Sequence, residues 1–236
     1  MVFLPLSDNI PGKKTPYVTY GLILTNIVVF LYELYLQQMP SNDFNRFIHT
    51  YSVIPGEISH FNSMGTLVTS MFLHGGFMHI FANMLFLYIF GNNVEDSMGH
   101  PRFFAFYMLC GFAATFLQTF VNPSSAVPNL GASGAIAGVL GAYMATYPKA
   151  KVNTLIFFGF FIMMRRISAL FFLGFWFLLQ LFSGMGSIVS VSQGGVAYFA
   201  HIGGFVAGIA LCFVFRKKVE ELQEEDEWDR LTYEYR

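Results

Sequence analysis

Four long stretches of this chain carry no charge, and their spacing constrains the fold more than any motif does. No Asp, Glu, Lys or Arg occurs between Lys14 and Glu33, between Glu57 and Glu95, between Arg102 and Lys149, or between Arg166 and Arg216. About 20 apolar residues in helical form cross a bilayer core. The first two stretches therefore hold one span each, and the last two hold two spans joined by a turn. Helix breakers mark those turns, Asn122-Pro123-Ser124-Ser125 to Pro128-Asn129 and Ser183-Gly184-Met185-Gly186 to Gln193-Gly194-Gly195. The result is an all-α polytopic membrane protein with six transmembrane helices, expected at about 17–37, 68–91, 103–121, 132–148, 167–184 and 197–215. Leu155–Met164 is too brief for a span and is expected to lie at the interface. Composition agrees, since 11% of residues are charged against about 25% in soluble domains.

Six spans put both termini on one side, and basic residues are retained in the cytoplasm. With both termini cytoplasmic, Lys13, Lys14, Arg102, Lys149, Lys151, Arg165, Arg166, Arg216, Lys217, Lys218, Arg230 and Arg236 all fall inside, and only Arg46 lies outside. The chain then divides into a cytoplasmic segment 1–16, a membrane domain 17–215 and a charged tail 216–236, which holds eight of the fourteen acidic residues. Pro5, Asp8, Pro11 and Gly12 interrupt any signal-peptide core, and no Arg-rich transit segment is present. A bacterial plasma (inner) membrane is the expected location. Cys110 and Cys212 fall within spans and suggest no disulfide.

Polar residues within spans are costly and usually face the protein interior. Spans two, four and six run in the same direction, so their first turns share one level. His79 and Asn83 lie in the outer half of span two, Ser133 begins span four, and His201 sits one turn into span six. At ~1.5 Å per residue, His201 is roughly 6 Å below the outer end of its helix, level with Ser133. Each alone has a bland reading, as a packing serine, a bonded histidine or interhelical glue. Their convergence at one depth favours a site. Gly134/Gly138 and Gly204/Gly208 are small-xxx-small patterns that let spans four and six approach closely.

The chemistry available there is nucleophilic. A serine hydroxyl needs a neighbouring base, which neutral imidazole supplies. Ser133 lies near a helix N-terminus, whose free N–H groups favour a developing oxyanion. His79 and Asn83 are four apart on one helix face and can donate to the same oxygen. Spans four and six hold no carboxylate to orient His201, which points to a dyad, not a triad. No H-E-x-x-H motif is present, and Glu33 is the only acid within a span, so zinc and aspartyl mechanisms lack their parts. His74 and His79 are five apart and are expected on different faces, against a metal site with His201. No cofactor or metal is expected.

These residues resemble bacterial rhomboid proteases, intramembrane serine proteases with a six-span core. The resemblance rests on His74-Gly75-Gly76-Phe77-Met78-His79-Ile80-Phe81-Ala82-Asn83, on Gly131-Ala132-Ser133-Gly134 and on Ala200-His201-Ile202-Gly203-Gly204, in order and at matching spacings. Tyr51-Ser52-Val53-Ile54-Pro55 and Phe90-Gly91-Asn92-Asn93-Val94-Glu95 are also similar. The resemblance implies a rhomboid-like bundle that hydrolyses peptide bonds in or near transmembrane segments of single-pass proteins, close to the outer face. Ser133 would be the nucleophile and His201 the general base. His79, Asn83 and the Ser133 backbone N–H would form the oxyanion hole. Gly131, Gly134 and Gly204 would serve close helix packing, and Glu95 would orient structure without catalysing. Span five would act as a lateral gate, with Phe172, Phe175 and Trp176 as its aromatic candidates. Expected partners are transmembrane-helix substrates and lipids, with no nucleic acid. The sequence departs from some members at Ala82, at Asn45-Arg46 and at Ala137, where an aromatic ring can stack on the histidine. A catalytically dead relative that binds helices is the main alternative, and a small transporter is a third reading.

Overall fold

The computed structural model describes residues 2–40, 42–158, 161–189 and 197–217. Among the described residues, five helices are long and apolar enough to cross a membrane: α1 (Tyr17–Gln37), α5 (Phe77–Met98), α6 (His100–Val121), α8 (Ala169–Val189, apolar over Ala169–Ser187) and α9 (Tyr198–Phe215). Between α1 and α5 lie three short helices, α2 (Asp43–Tyr51), α3 (Pro55–Ile58) and α4 (Thr66–Thr69), and a 3-10 turn, Ser70–Phe72.

The remaining apolar helix, α7 (Ser133–Thr146), has 14 residues. At ~1.5 Å per residue it is about 21 Å long, short of the ~30 Å of a hydrocarbon core. It compensates by position, packing against α5, α6, α8 and α9. Every residue from Gly134 to Tyr143 is buried, which is why the helix is apolar all round. Ser133 therefore begins a recessed central helix.

Glycines set how closely α7 and α9 approach. A Cβ added at Gly204 would run into the carbonyl oxygen of Gly134, and one at Gly208 into that of Gly138. A Cβ at Gly141 would likewise meet the Phe205 carbonyl. Lipid offers no hydrophobic drive for helix association, so this backbone approach supplies the dispersion contacts.

The expected second span, 68–91, is displaced. Its helix starts at Phe77, after His74-Gly75-Gly76, and continues to Met98. The added inner turn is buried because it supports α1, whose N-cap Pro16 provides no side-chain cap. Gly99, at φ +82°, then reverses the chain into α6, a left-handed conformation that glycine adopts without a Cβ penalty.

The all-α expectation is corrected by a three-stranded antiparallel sheet, β1 (Val2–Asp8), β2 (Lys151–Phe158) and β3 (Phe161–Ser168), in the order β1-β2-β3. Val2 faces Phe157 and Asp8 faces Val152, with a register shift between Pro5 and Ser7. Leu155–Met164, expected as one interfacial segment, is divided between β2 and β3. The signal is an alternation that overall apolarity conceals: Val152, Thr154 and Ile156 are buried, one face of a pleated strand. Pro5 sits in an edge strand, where a missing N–H is tolerated. Polar contacts tie β1 and its sequel to the bundle. Asn93 Nδ2 donates to Asp8 at 2.6 Å, Tyr143 donates its hydroxyl to the same carboxylate, and the Lys13 backbone N–H donates to Asp96 at 2.7 Å. Of the tail 216–236, residues 218–236 lie outside the described residues.

Candidate active site

Ser133 owes its place to the segment before it. Val53 and Asn129 exchange backbone hydrogen bonds at 2.9 and 2.7 Å, and the Gly131 N–H donates to the Ser70 carbonyl at 2.8 Å. Gly131 has φ +122°, and a Cβ there would stand 2.7 Å from Cε1 and 2.8 Å from Nε2 of His79. Both conformation and space therefore require glycine, and the chain passes directly beside the imidazole. Ala132 is the N-cap of α7, and no side chain caps the helix. The N–H groups of its first turn, with the positive end of the helix dipole, are left for another acceptor.

His79 and Asn83 share one face of α5. The loop before that helix brings a further histidine to them. The His74 and His79 rings meet edge to face at 5.1 Å, which corrects the expectation that they face apart. The reason is that His74 precedes the helix, so helical spacing does not govern it. His74 Nε2 lies 3.0 Å from Asn83 Nδ2, and its backbone N–H donates to Glu33 of α1 at 3.1 Å. Glu33, His74 and Asn83 thus form a buried polar chain from α1 to the cavity. Among the described residues, no cluster of three metal-ligating side chains occurs.

His201 stands one turn into α9. Gln118 of α6 accepts from the Ala200 N–H at 3.2 Å and fixes that turn. Its Nδ1 lies 2.8 Å from Oε1 of Gln180 on α8. The Trp176 ring, one turn earlier on α8, is centred 5.8 Å away with a 37° tilt between planes. Of the other two gate candidates, Phe172 is buried and stacks on Phe86 and Phe90, whereas Phe175 is 48% exposed.

His79, Asn83, Ser133 and His201 all line one cavity of about 600 Å³, together with Ala137 and Trp176. A second groove, about 460 Å³ and lined by aromatic or aliphatic residues, shares Phe86 and Trp176 with it and lies along α8, bounded by Phe86 of α5 and by Phe3 and Ile167 of the sheet. Sequence reasoning passed over Glu33, His74, Gln118 and Gln180 as supports. The available signal was that each is a polar residue in or beside an apolar span.

Comparison with known proteins gives the chain's family. RHOMBOID-like protein 1 of Arabidopsis thaliana is 26% identical over 225 residues, covering 85% of this chain and 53% of that protein. Rhomboid protein 1, mitochondrial, of Saccharomyces cerevisiae is 27% identical over 212 residues, covering 88% of this chain and 56% of the relative. RHOMBOID-like protein 6, mitochondrial, of Arabidopsis thaliana is 31% identical over 165 residues, covering 70% and 48%. The chain spans about half the length of these curated relatives. Mitochondrial and chloroplastic names among the relatives give no support to a bacterial plasma membrane. A family model described as Rhomboid domain matches residues 62–218, a range that includes His79, Asn83, Ser133 and His201, and this integral membrane protein belongs to the rhomboid family.

Proposed function

We propose that this protein is an intramembrane serine endopeptidase that cleaves single-pass proteins in or near their transmembrane segments. Ser133 is the nucleophile and His201 the general base of a dyad. The oxyanion forms against His79, Asn83 and the Ser133 backbone N–H. The observation that carries this reading is the shared cavity. Side chains from α5, α7 and α9 line it, and its nucleophile begins a helix without a side-chain cap. As Ser133 Oγ attacks the substrate carbonyl carbon, its proton passes to imidazole, which later returns it to the leaving amine. Charge developing on the carbonyl oxygen is met by these donors, each worth about 2.7–4 kcal/mol of transition-state stabilisation.

The groove along α8 is the route by which a substrate helix reaches the cavity from the bilayer. Both termini and the sheet lie on the cytoplasmic side, in keeping with Lys13, Lys14, Lys151, Arg165 and Arg166, and the cavity faces the opposite side. Gly131, Gly134 and Gly204 hold the dyad helices and the oxyanion histidine at contact distance.

The test is a fluorophosphonate probe with a generic single-pass substrate, comparing wild type with Ser133→Ala in lipid. Labelling and cleavage that both vanish in the variant support the reading. Folded wild type that neither labels nor cleaves favours a helix-binding relative. Cleavage that survives Ser133→Ala refutes the nucleophile.

A further inference from the structure

An imidazole acts as base toward serine only through a ring nitrogen that carries no proton. The opposite nitrogen must then hold its proton against a fixed acceptor. Neither α7 nor α9 supplies a carboxylate for that purpose. The partner of His201 Nδ1 is instead the Gln180 amide oxygen on α8, at 2.8 Å. An amide oxygen only accepts hydrogen bonds. Facing Nδ1, it requires the proton there and leaves the Nε2 lone pair free.

Trp176 precedes Gln180 by four residues, so both side chains lie on one face of α8. The indole packs against the imidazole at 5.8 Å between centroids. It also contacts Phe205, one turn further along α9, at 6.0 Å. Phe177 stacks on the same Phe205 at 4.5 Å and 15°, which fixes the rotation of α8 about its axis. Ala137, one turn after Ser133, lines the cavity beside Trp176 and His201, and its small side chain leaves the ring's surroundings to the indole.

We propose that Gln180 is the positioning residue of the catalytic histidine, holding the Nδ1–H tautomer so that Nε2 is the basic atom, while Trp176 fixes the plane of the ring. The assignment rests on the protease reading above. In the reaction the Ser133 Oγ proton passes to Nε2 as Oγ bonds to the carbonyl carbon. Nδ1–H stays bonded to Gln180 throughout, and no proton reaches the amide. The orienting group is therefore neutral, and it resides on a different helix from either member of the dyad.

Gln180→Leu and Gln180→Glu, each compared with wild type in lipid, test this. In Gln180→Leu, kcat is expected to fall about 10–100-fold, by analogy with the loss of hydrogen-bond partners that orient metal-ligating histidines. KM should hold, and the rate of fluorophosphonate labelling should fall in parallel. Gln180→Glu keeps an acceptor oxygen at the same reach and should recover activity to within a few-fold. Independently of turnover, 15N NMR of histidine-labelled Ser133→Ala protein should show His201 protonated at Nδ1, and adding Gln180→Leu should give a mixture of tautomers. Wild-type kcat in Gln180→Leu, equal losses in Leu and Glu variants with a lowered melting temperature, or a proton on Nε2 would each overturn the proposal. Wild type that neither labels nor cleaves would overturn the protease reading instead, and the tautomer measurement then decides the Gln180 contact by itself.

Discussion

Glu95, near the far end of α5, caps the first turn of α1 at Val18 and Thr19. Its Oε2 accepts both the Thr19 backbone N–H at 2.8 Å and the Thr19 hydroxyl at 2.7 Å, while Oε1 accepts the Val18 N–H at 2.9 Å. His100 Nδ1 approaches Oε1 at 2.5 Å. Glu95 is buried and α1 has no cap of its own, so one carboxylate joins the start of α1 to the junction of α5 and α6.

Removing that carboxylate strands buried N–H donors. Hydrogen bonds to charged groups contribute about 1.5–3 kcal/mol each, so Glu95→Ala is expected to lose about 3 kcal/mol. Glu95→Gln, which keeps one acceptor oxygen, should lose less. Denaturation midpoints in detergent measure both, and an Ala variant as stable as wild type would remove the capping role.

Gly204→Ala places a methyl group against the Gly134 carbonyl oxygen. Overpacking typically costs about 1–3 kcal/mol, and backbone on both sides allows little relief. We expect a lower melting temperature and loss of cleavage, because α7 and α9 carry the proposed dyad. Gly174→Ala is the control: nothing lies within 4 Å of its added Cβ, and its stability should match or exceed that of wild type.

Asn83→Ala removes one proposed oxyanion donor. Turnover should fall about 100–1,000-fold, with fluorophosphonate labelling slowed and the melting temperature lowered modestly, because the buried His74 Nε2 loses its partner. His74→Ala leaves the Asn83 amide unsupported and should give a smaller loss. Unchanged kcat in Asn83→Ala would take that residue out of the oxyanion hole.

Asp8 links pH to the sheet. Burial pushes its carboxyl above the usual range, and hydrogen bonds from the Tyr143 hydroxyl, the Ile10 backbone and the Asn93 amide oppose the rise only in part. A raised folded-state value means that the folded form holds its proton more tightly than the unfolded chain. The associated stabilisation is complete below the unfolded value, about 4, and is lost as pH climbs through the raised one. Asp8→Asn should abolish that decline, seen as a flatter dependence of melting temperature on pH over the same window. An identical slope in wild type and variant would exclude Asp8 as its source.

Charge distribution revealed the spans because lipid penalises charge at every depth, and the penalty is written in composition. It located α1, α6 and α9 to within a few residues. It misplaced the start of α5, since apolarity continues through α4 and the 3-10 turn while backbone conformation changes at Gly75-Gly76. The sheet escaped for a related reason: pairing across 146 positions, as between Ser7 and Asn153, leaves no local mark beyond alternation. Ser133, His201, His79 and Asn83, which line one cavity, were legible as candidates because polar side chains in spans are few. Gln180 was passed over because the search was for a carboxylate in spans four and six, whereas the group beside His201 is a neutral amide on α8.

The pairing of β1 with β2 also orders biogenesis. β1 is the first described segment to leave the ribosome, yet its partner is not made until α1, α5, α6 and α7 have been synthesised. Strand pairing over such a separation is slow, because chain closure precedes any gain from contact. Until β2 emerges, the β1 edge waits unpaired, whereas the partners of the Asp8 carboxylate, Asn93 of α5 and Tyr143 of α7, are made earlier. Closure of the sheet is therefore a late step of assembly, and the aromatic groove is completed only with it, since Phe3 of β1 and Ile167 of β3 line that groove beside the α8 side chains.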